Sequence, residues 1–446
     1  MAVPALATGG LPLVGHLLPL RRERRLAFLD SLRRHGSVVR IKLGPRTIYL
    51  VTEAEMAREV LVVQAGSFDK GEGGAQLRVL VGNGVLTSER ETHRRQRRLL
   101  QPHFHRNRMA GYAEAMRQEI EQLSTTWRDG QRLDVRTEMH GLLLGITIRA
   151  LLPSSIGTLH GDFRRDFPLA LREVQRRMFN PVRALTSRLP TPRNQRHARL
   201  LAGLHQAAAH AIATHHKAEA KDTDLLTTLT GARDPDTGEP LSDTEIRDQV
   251  MTMLATGGET STSALSWAFH ELGRHPDLEE RLHTEVDQVL GGRAARYEDL
   301  PRLELTGRII SEVLRCYPPA WMISRRALAD VDLGGYHVPA GSPVLVIPYI
   351  VHRDPAVFPD PHRFDPDRWL PDRPTRIPHD AVIPFGAGVR KCIADHFAVI
   401  ETTLTLATLA GRWRLRPLPD HPVRPVTATT LVPEGLVMRA ERRGGW

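Results

Sequence analysis

Cys392 lies in the stretch Phe385-Gly386-Ala387-Gly388-Val389-Arg390-Lys391-Cys392, a glycine-hinged loop that sets one thiol beside cations, and it is one of only two cysteines in 446 residues. Such a loop can offer a single axial sulfur to haem iron. That a cysteine thiolate pushes electron density on haem toward O–O cleavage is an established property of haem thiolates rather than something this chain shows. The chemistry implied is activation of dioxygen. The plainer reading is a buried filler, because unpaired cysteine is among the most buried residue types.

A second cluster sits upstream. Ser242-Asp243-Thr244-Glu245 reads as a capping box, and apolar residues continue from Ile246 through Val250, Met251, Leu254, Leu265 and Trp267 to a stop at Pro276. The pattern predicts a helix of about thirty residues, more than twice the usual length. Inside it stands Thr256-Gly257-Gly258-Glu259-Thr260. Two glycines in a helix interior cost about 2 kcal/mol against alanine. One reading is close packing or a kink. The other is a local break that opens the backbone to dioxygen and water, with Thr260 supplying a hydroxyl and Glu259 relaying protons from solvent, since cleaving O–O requires protons delivered to one oxygen.

Taken together, Phe385, Gly388, Arg390 and Cys392 match Phe-x-x-Gly-x-Arg-x-Cys, and residues 256–260 match a small-Gly-x-acid-Thr pattern. On these motifs the chain resembles the cytochrome P-450 superfamily of haem-thiolate monooxygenases. The resemblance implies heme b (iron protoporphyrin IX) with Cys392 as the iron's axial ligand, lying between the long helix and the cysteine loop. Gly388 would permit the tight turn, Arg390 would pair with a propionate, and Phe385 would shield the sulfur. His93 and Arg97, in His93-Arg94-Arg95-Gln96-Arg97, resemble the family's propionate-binding helix, and Arg325 matches a further propionate cation. Glu259 and Thr260 take the places of the catalytic acid–alcohol pair.

Glu312 and Arg315 stand at i and i+3 on one helix face, a spacing that most often gives only a surface ion pair. In the family this pair is buried and joined by a second arginine. Here Arg368, in Phe364-Asp365-Pro366-Asp367-Arg368-Trp369, is the candidate, so Glu312, Arg315 and Arg368 are assigned to the structural core. The chain departs from the pattern at Thr256 (usually alanine or glycine), His93 (often tryptophan), Trp369 (more often phenylalanine) and Ala394 (usually glycine). Expected pocket residues are Ala255, Thr256, Met322, Ile323 and Leu431, together with the loop 73–90. Resemblance also makes 163–189 a mobile lid. Stretches such as Leu11 to His16 and Pro318 to Trp321 look like bacterial terpene-oxidising members. The expected reaction is insertion of one oxygen atom into a C–H bond of a lipophilic terpenoid, with dioxygen and with electrons from a ferredoxin and its reductase. A peroxide-using or rearranging member of the same fold, or a non-catalytic haem-binding protein, are the alternatives.

The elements that must position these residues are mostly helical. Helical periodicity runs near 109–126, 200–218, 278–290 and 306–316. Val38 to Leu43, a Gly44-Pro45 turn and Thr47 to Val51 read as a hairpin. A second β-rich stretch from Val331 to Val346 is expected to pair with it. The fold class is therefore mainly α (α+β), a single large helical domain over 1–446 with a small β-rich lobe at about 35–55 and 326–350. Hydrophobic residues make up 41% of the chain, enough for a large core.

Two cysteines cannot staple a chain of this length, which points to a reducing compartment. The apolar stretch 11–20 is interrupted by Pro12, Gly15, His16 and Pro19 and is far short of the roughly 20 residues of a membrane span. A cytoplasmic monomer without a membrane anchor is expected. The formal charge is +10, but only five of the 61 basic residues are lysine, and no basic helix or aromatic-basic module of a nucleic-acid reader is present. Arg94, Arg95, Arg97, Arg98, Arg106 and Arg108 crowd one segment. They read as a solvated face, or, on the family resemblance, as the cysteine-side surface where an acidic iron–sulfur or flavin electron donor would be steered.

Overall fold

A computed structural model describes residues 2–21, 24–152, 165–167, 169–171, 173–174, 189–217, 225–234, 238–372 and 377–444. Most of the expected lid at 163–189 lies outside the described residues.

The long helix forms as its sequence predicts, over Asp243–Arg274. The Ser242 hydroxyl accepts from the Glu245 N–H at 3.3 Å, and the Glu245 carboxylate accepts from the Ser242 N–H at 3.0 Å. These two bonds satisfy donors that every helix N-terminus leaves open. The helix runs unbroken through Gly257 and Gly258, which corrects the expected local break. A Cβ on Gly257 would stand 2.4 Å from the Thr147 hydroxyl oxygen, so this glycine lets the Val135–Leu151 helix pack closely against the long one. The closer approach offsets the helical cost of the missing side chain. Val135–Leu151 is buried along most of its length, and its contact with the long helix is the most extensive between any two described elements.

The four helices expected from periodicity occur at Arg106–Thr126, Pro192–Lys217, Pro276–Leu290 and Glu304–Cys316. A further one, Asp395–Arg412, follows the cysteine loop and packs against Arg106–Thr126, Pro276–Leu290 and the long helix.

The largest sheet among the described residues has six strands, in the order Ala5–Leu6, Val38–Leu43, Arg46–Val51, Pro343–Val346, Ile323–Ala327, Phe68–Asp69. The expected hairpin pairs Val38 with Val51 and Leu43 with Arg46, and its second strand pairs in parallel with Pro343–Val346. Val331–Leu333 and Tyr336–Val338 instead pair with each other in a separate ribbon. Strand structure also extends beyond the expected lobe. Trp413–Pro417, Val437–Arg442 and Arg132–Asp134 make one small sheet, and Arg424–Thr427 with Leu431–Glu434 makes another. The main core surrounds the long helix, while two smaller clusters lie under the large sheet.

Candidate active site

A cavity of about 440 Å³ separates the long helix from the cysteine loop. Its volume falls in the range of small-molecule sites. One wall is the helix face Thr252, Thr256, Gly257, Thr260 and Ala264, a spacing that puts these residues on one side of a 3.6-residue turn. Phe385 and Cys392 form the opposite wall.

Glycine geometry shapes the cysteine loop. Gly386 and Gly388 both have left-handed φ values, +69° and +68°. The Cys392 N–H donates to the Phe385 carbonyl at 2.8 Å, and the Lys391 N–H donates to the Gly388 carbonyl at 3.0 Å. Cys392 is densely surrounded yet keeps accessible surface, and that surface is the part that lines the cavity. Burial pushes its thiol up, while the Ala394 N–H and the nearby Arg97 and Lys391 charges pull the other way. A thiol so placed gives up its proton readily only to a strong local positive charge such as a metal.

Beside the sulfur lies a concentration of basic groups. Lys70, His93, Arg97, Arg325 and Arg390 all line the cavity. Burial first and mutual repulsion second bring the Lys70 ammonium down to about 7, His93 to about 3 and Arg325 to about 10. The Arg390 guanidinium holds Glu89 and donates to the Ser88 carbonyl at 3.0 Å. Arg97 donates to the Lys391 carbonyl at 2.6 Å. Among the described residues, the Glu89 carboxylate offsets the charge of both Lys70 and Arg325. Cations gathered this closely repel one another unless an anion joins them. The set therefore fits the carboxylates of a haem placed against Cys392.

Lys70 was not anticipated from the sequence. Its ammonium donates to the Val85 carbonyl at 3.3 Å and to the Leu86 carbonyl, tying the strand end to the loop that follows. Its rarity among 61 basic residues was the one signal that could have drawn attention to it.

The acid–alcohol pair is divided between two faces of the helix. Thr260 faces the cavity and donates to the Thr256 carbonyl at 2.9 Å. Glu259 is buried away from it, accepting from Arg136 at 2.9 Å and from the Thr430 hydroxyl at 3.1 Å, with the His140 ring 3.9 Å away. Ala255, one helical turn before Glu259, shares its orientation and packs on the main core, so its expected place in the pocket is corrected. Leu431 is corrected too. Its side chain is fully buried in a core cluster with Trp321, and its carbonyl accepts from Ser263 at 2.5 Å and Trp267 at 2.8 Å. Ala428 and Thr429, in the preceding turn, take its place on the wall. Thr256, Met322 and Ile323 line the cavity.

A second carboxyl was missed. Glu401, on Asp395–Arg412, lines the cavity although nearly all of it is buried, and that burial pushes its carboxyl up to about 8 against the opposing hydrogen bond from Ser261. Its Oε1 has no hydrogen-bond partner among the described residues.

Glu312 and Arg315 are fully buried and joined by two hydrogen bonds, of 2.9 and 2.7 Å. Arg368 reaches the same carboxylate at 3.4 Å. Arg315 also donates to the carbonyls of His352, Pro361 and Arg363, so it fixes the segment leading to the cysteine loop. Trp369, at the position where the family more often has phenylalanine, donates its indole N–H to Glu312 at 3.0 Å. In the arginine-rich segment, Arg95 pairs with Asp234 and Glu245, whereas Arg94 and Arg98 remain exposed.

Known proteins resemble this chain over nearly its whole length. Residues 4–443 match the family described as cytochrome P-450. Cyclooctatin synthase of Streptomyces melanosporofaciens is 44% identical over 440 residues, covering 98% of this chain and 95% of that protein. Cyclooctat-9-en-7-ol 5-monooxygenase of the same organism is 42% identical over 414 residues, covering 93% and 90%. Pentalenene oxygenase of Streptomyces avermitilis is 42% identical over 446 residues, covering 99% and 98%. The crystal structure of a cytochrome P-450 haem domain superposes with a TM-score of 0.88 at 26% identity, covering 99% of this chain and 98% of that one.

Proposed function

Because this chain belongs to the cytochrome P-450 family and is a haem-dependent monooxygenase, we propose that it inserts one oxygen atom of dioxygen into a C–H bond of a terpenoid, with electrons from a ferredoxin and its reductase. The observation that carries this reading is a single cavity whose opposite walls hold the Cys392 thiol and the Thr260 hydroxyl. When bound, a haem iron held by the Cys392 sulfur would supply dioxygen activation, and thiolate ligation favours O–O cleavage. Heme b suits the cation set, since it carries two carboxylates and no second cysteine lies near for covalent attachment: Cys316 is buried beside Arg315.

The chain's own residues then have separable tasks. Cys392 would hold the iron; Arg97, Arg325, Arg390, His93 and Lys70, which line the same cavity, would hold the propionates; Phe385 would cover the sulfur. Burial and the neighbouring cations lower His93 to about 3 in the cluster as it stands, and its ring N–H would serve a propionate as a hydrogen-bond donor. Thr260 presents a hydroxyl at the cavity wall. Glu259, clamped by Arg136 and Thr430, keeps a buried carboxylate behind it, and partly exposed Arg136 links that carboxylate to water. Apolar groups such as Leu77, Leu86, Met253, Met322 and Ile323 make up the rest of the wall and favour a lipophilic ligand. The names pentalenene oxygenase and cyclooctat-9-en-7-ol 5-monooxygenase support a cyclic, weakly polar substrate of that kind.

The exposed Arg94 and Arg98 border a second groove that also takes in Val62, Val389 and Arg97, and this surface suits an acidic ferredoxin. On the same reading the chain acts as one catalytic domain, a monomer in the cytoplasm; among the described residues, no helix is long and apolar enough to cross a membrane.

The test is the carbon monoxide difference spectrum of the dithionite-reduced protein, followed by titration with a panel of cyclic terpenes while the ferric spin state is followed. A strongly red-shifted Soret band and a high-spin shift with a panel member are expected. A histidine-like band would overturn the assignment of Cys392, and a flat response across the panel would overturn the terpenoid.

A further inference from the structure

Behind the cavity wall, Trp267 and Tyr317 form a face-to-face stack with ring centroids 3.9 Å apart and planes within 4° of parallel. Such close, flat overlap is unusual for aromatic pairs, which more often sit offset or edge-on. Trp267 follows Ala264 by three residues on the long helix, and Tyr317 lies between Leu314 and Pro319; Ala264, Leu314 and Pro319 all line the cavity. The stack is thus one residue layer from the chemistry. Its indole N–H is fixed on the Leu431 carbonyl at 2.8 Å.

On the far side, the Tyr317 hydroxyl donates to Glu271 at 2.6 Å, and Glu271 is itself buried. Burial and the adjacent carboxylate push the tyrosine hydroxyl well above its usual range, so it does not ionise by itself. A phenol in that position loses its proton only together with an electron, and a hydrogen-bonded carboxylate is the acceptor such a step requires. Glu271 in turn faces His275 at 3.3 Å and Arg274 at 3.5 Å, both of which reach solvent. Aromatic stack, phenol, carboxylate and the solvent-reaching Arg274 and His275 form a continuous line from the cavity wall to water.

We propose that Trp267 and Tyr317 drain oxidising equivalents from the haem centre when no substrate C–H bond takes them up. The inference rests on the haem-dependent reading above. One electron passes from Tyr317 through Trp267 to the oxidised haem centre, lowering it by one equivalent. The phenolic proton moves to the Glu271 carboxylate, leaving a neutral tyrosyl radical and a protonated Glu271. A small reductant in solution, such as ascorbate, returns one electron, and Glu271 returns the proton, restoring Tyr317. No other group is consumed.

The experiment uses the haem-loaded protein without substrate, mixed with m-chloroperbenzoic acid and freeze-quenched for electron paramagnetic resonance. A tyrosyl signal is expected that narrows when the protein is made with ring-deuterated tyrosine, and that loses most of its intensity in Tyr317→Phe. Trp267→Phe is expected to slow its appearance several-fold. Bleaching of the Soret band under repeated peracid additions should be several-fold faster in Tyr317→Phe and should be slowed by ascorbate in wild type alone. Absence of a tyrosyl signal in the labelled wild type, or an undiminished one in Tyr317→Phe, overturns the inference, and the labelled wild type decides even where the variant fails to fold. Failure of the protein to give a thiolate-type carbon monoxide band overturns the haem reading instead.

Discussion

Gly386 and Gly388 share one backbone conformation but differ in what surrounds them, and that difference gives a test of how the cysteine loop is held. At Gly386 an added Cβ would find only the Ile323 Cδ1 at 3.9 Å, an ordinary contact. At Gly388 it would lie 2.1 Å from the Leu61 carbonyl oxygen and 3.1 Å from the Leu61 carbonyl carbon. Both substitutions to alanine impose left-handed strain of about 1–2 kcal/mol. Only Gly388→Ala adds an overlap with backbone, which cannot swing aside as a side chain can. Overpacking of this kind adds about 1–3 kcal/mol. The loop can relieve it only by moving the Gly388 carbonyl that accepts from Lys391, and with it the thiol one residue on. Gly386→Ala should therefore keep a full thiolate-type carbon monoxide band with a modest loss of thermal stability. Gly388→Ala should lose most of that band or most of the bound haem. Equal spectra and equal melting for the two variants would refute the reasoning, because then the Leu61 contact would not fix the loop.

Trp369→Phe removes the indole donor to buried Glu312, and a hydrogen bond to a charged group contributes about 1.5–3 kcal/mol. A melting temperature several degrees lower, with substrate-binding spectra unchanged, is expected in thermal scans; an unaltered melting point would show that the bond adds nothing. Glu401 holds its proton in the folded state up to about 8, whereas its ordinary value is 4.5. The sign follows: its contribution is fully present below pH 4.5 and is lost as pH rises, at about 1.4 kcal/mol per pH unit, until the folded value is passed. Denaturant unfolding at about pH 5.5 and 7.5 should show wild type losing about 2–3 kcal/mol relative to Glu401→Gln, and parallel pH dependences would contradict the burial argument. Thr260→Ala removes the hydroxyl from the cavity wall, so reducing equivalents should still be consumed while product per equivalent falls and released hydrogen peroxide rises. Unchanged coupling would remove Thr260 from proton delivery.

The sequence by itself determined the features whose physics is local. Ser242 and Glu245 cap a helix because the capping box closes within one turn, and the apolar run carries the helix on to Arg274. The cysteine loop is legible because glycines at fixed offsets are what left-handed turns demand. Glu312 and Arg315 were readable as a pair because i and i+3 share a face, whereas their burial was implied by the family resemblance and not by the spacing.

What only the tertiary structure decided is which face of each element meets which neighbour. Periodicity puts Ala255 and Glu259 one turn apart, but it cannot say that their side turns toward Arg136 and the Thr430 turn while Thr256 and Thr260 take the cavity. The double glycine was ambiguous for the same reason, since Thr147, its packing partner, lies more than a hundred residues earlier. Lys70 and Glu401 emerged last. Their protonation depends on desolvation and on charges brought together from segments far apart in the chain, sums that exist only once the fold has closed around them.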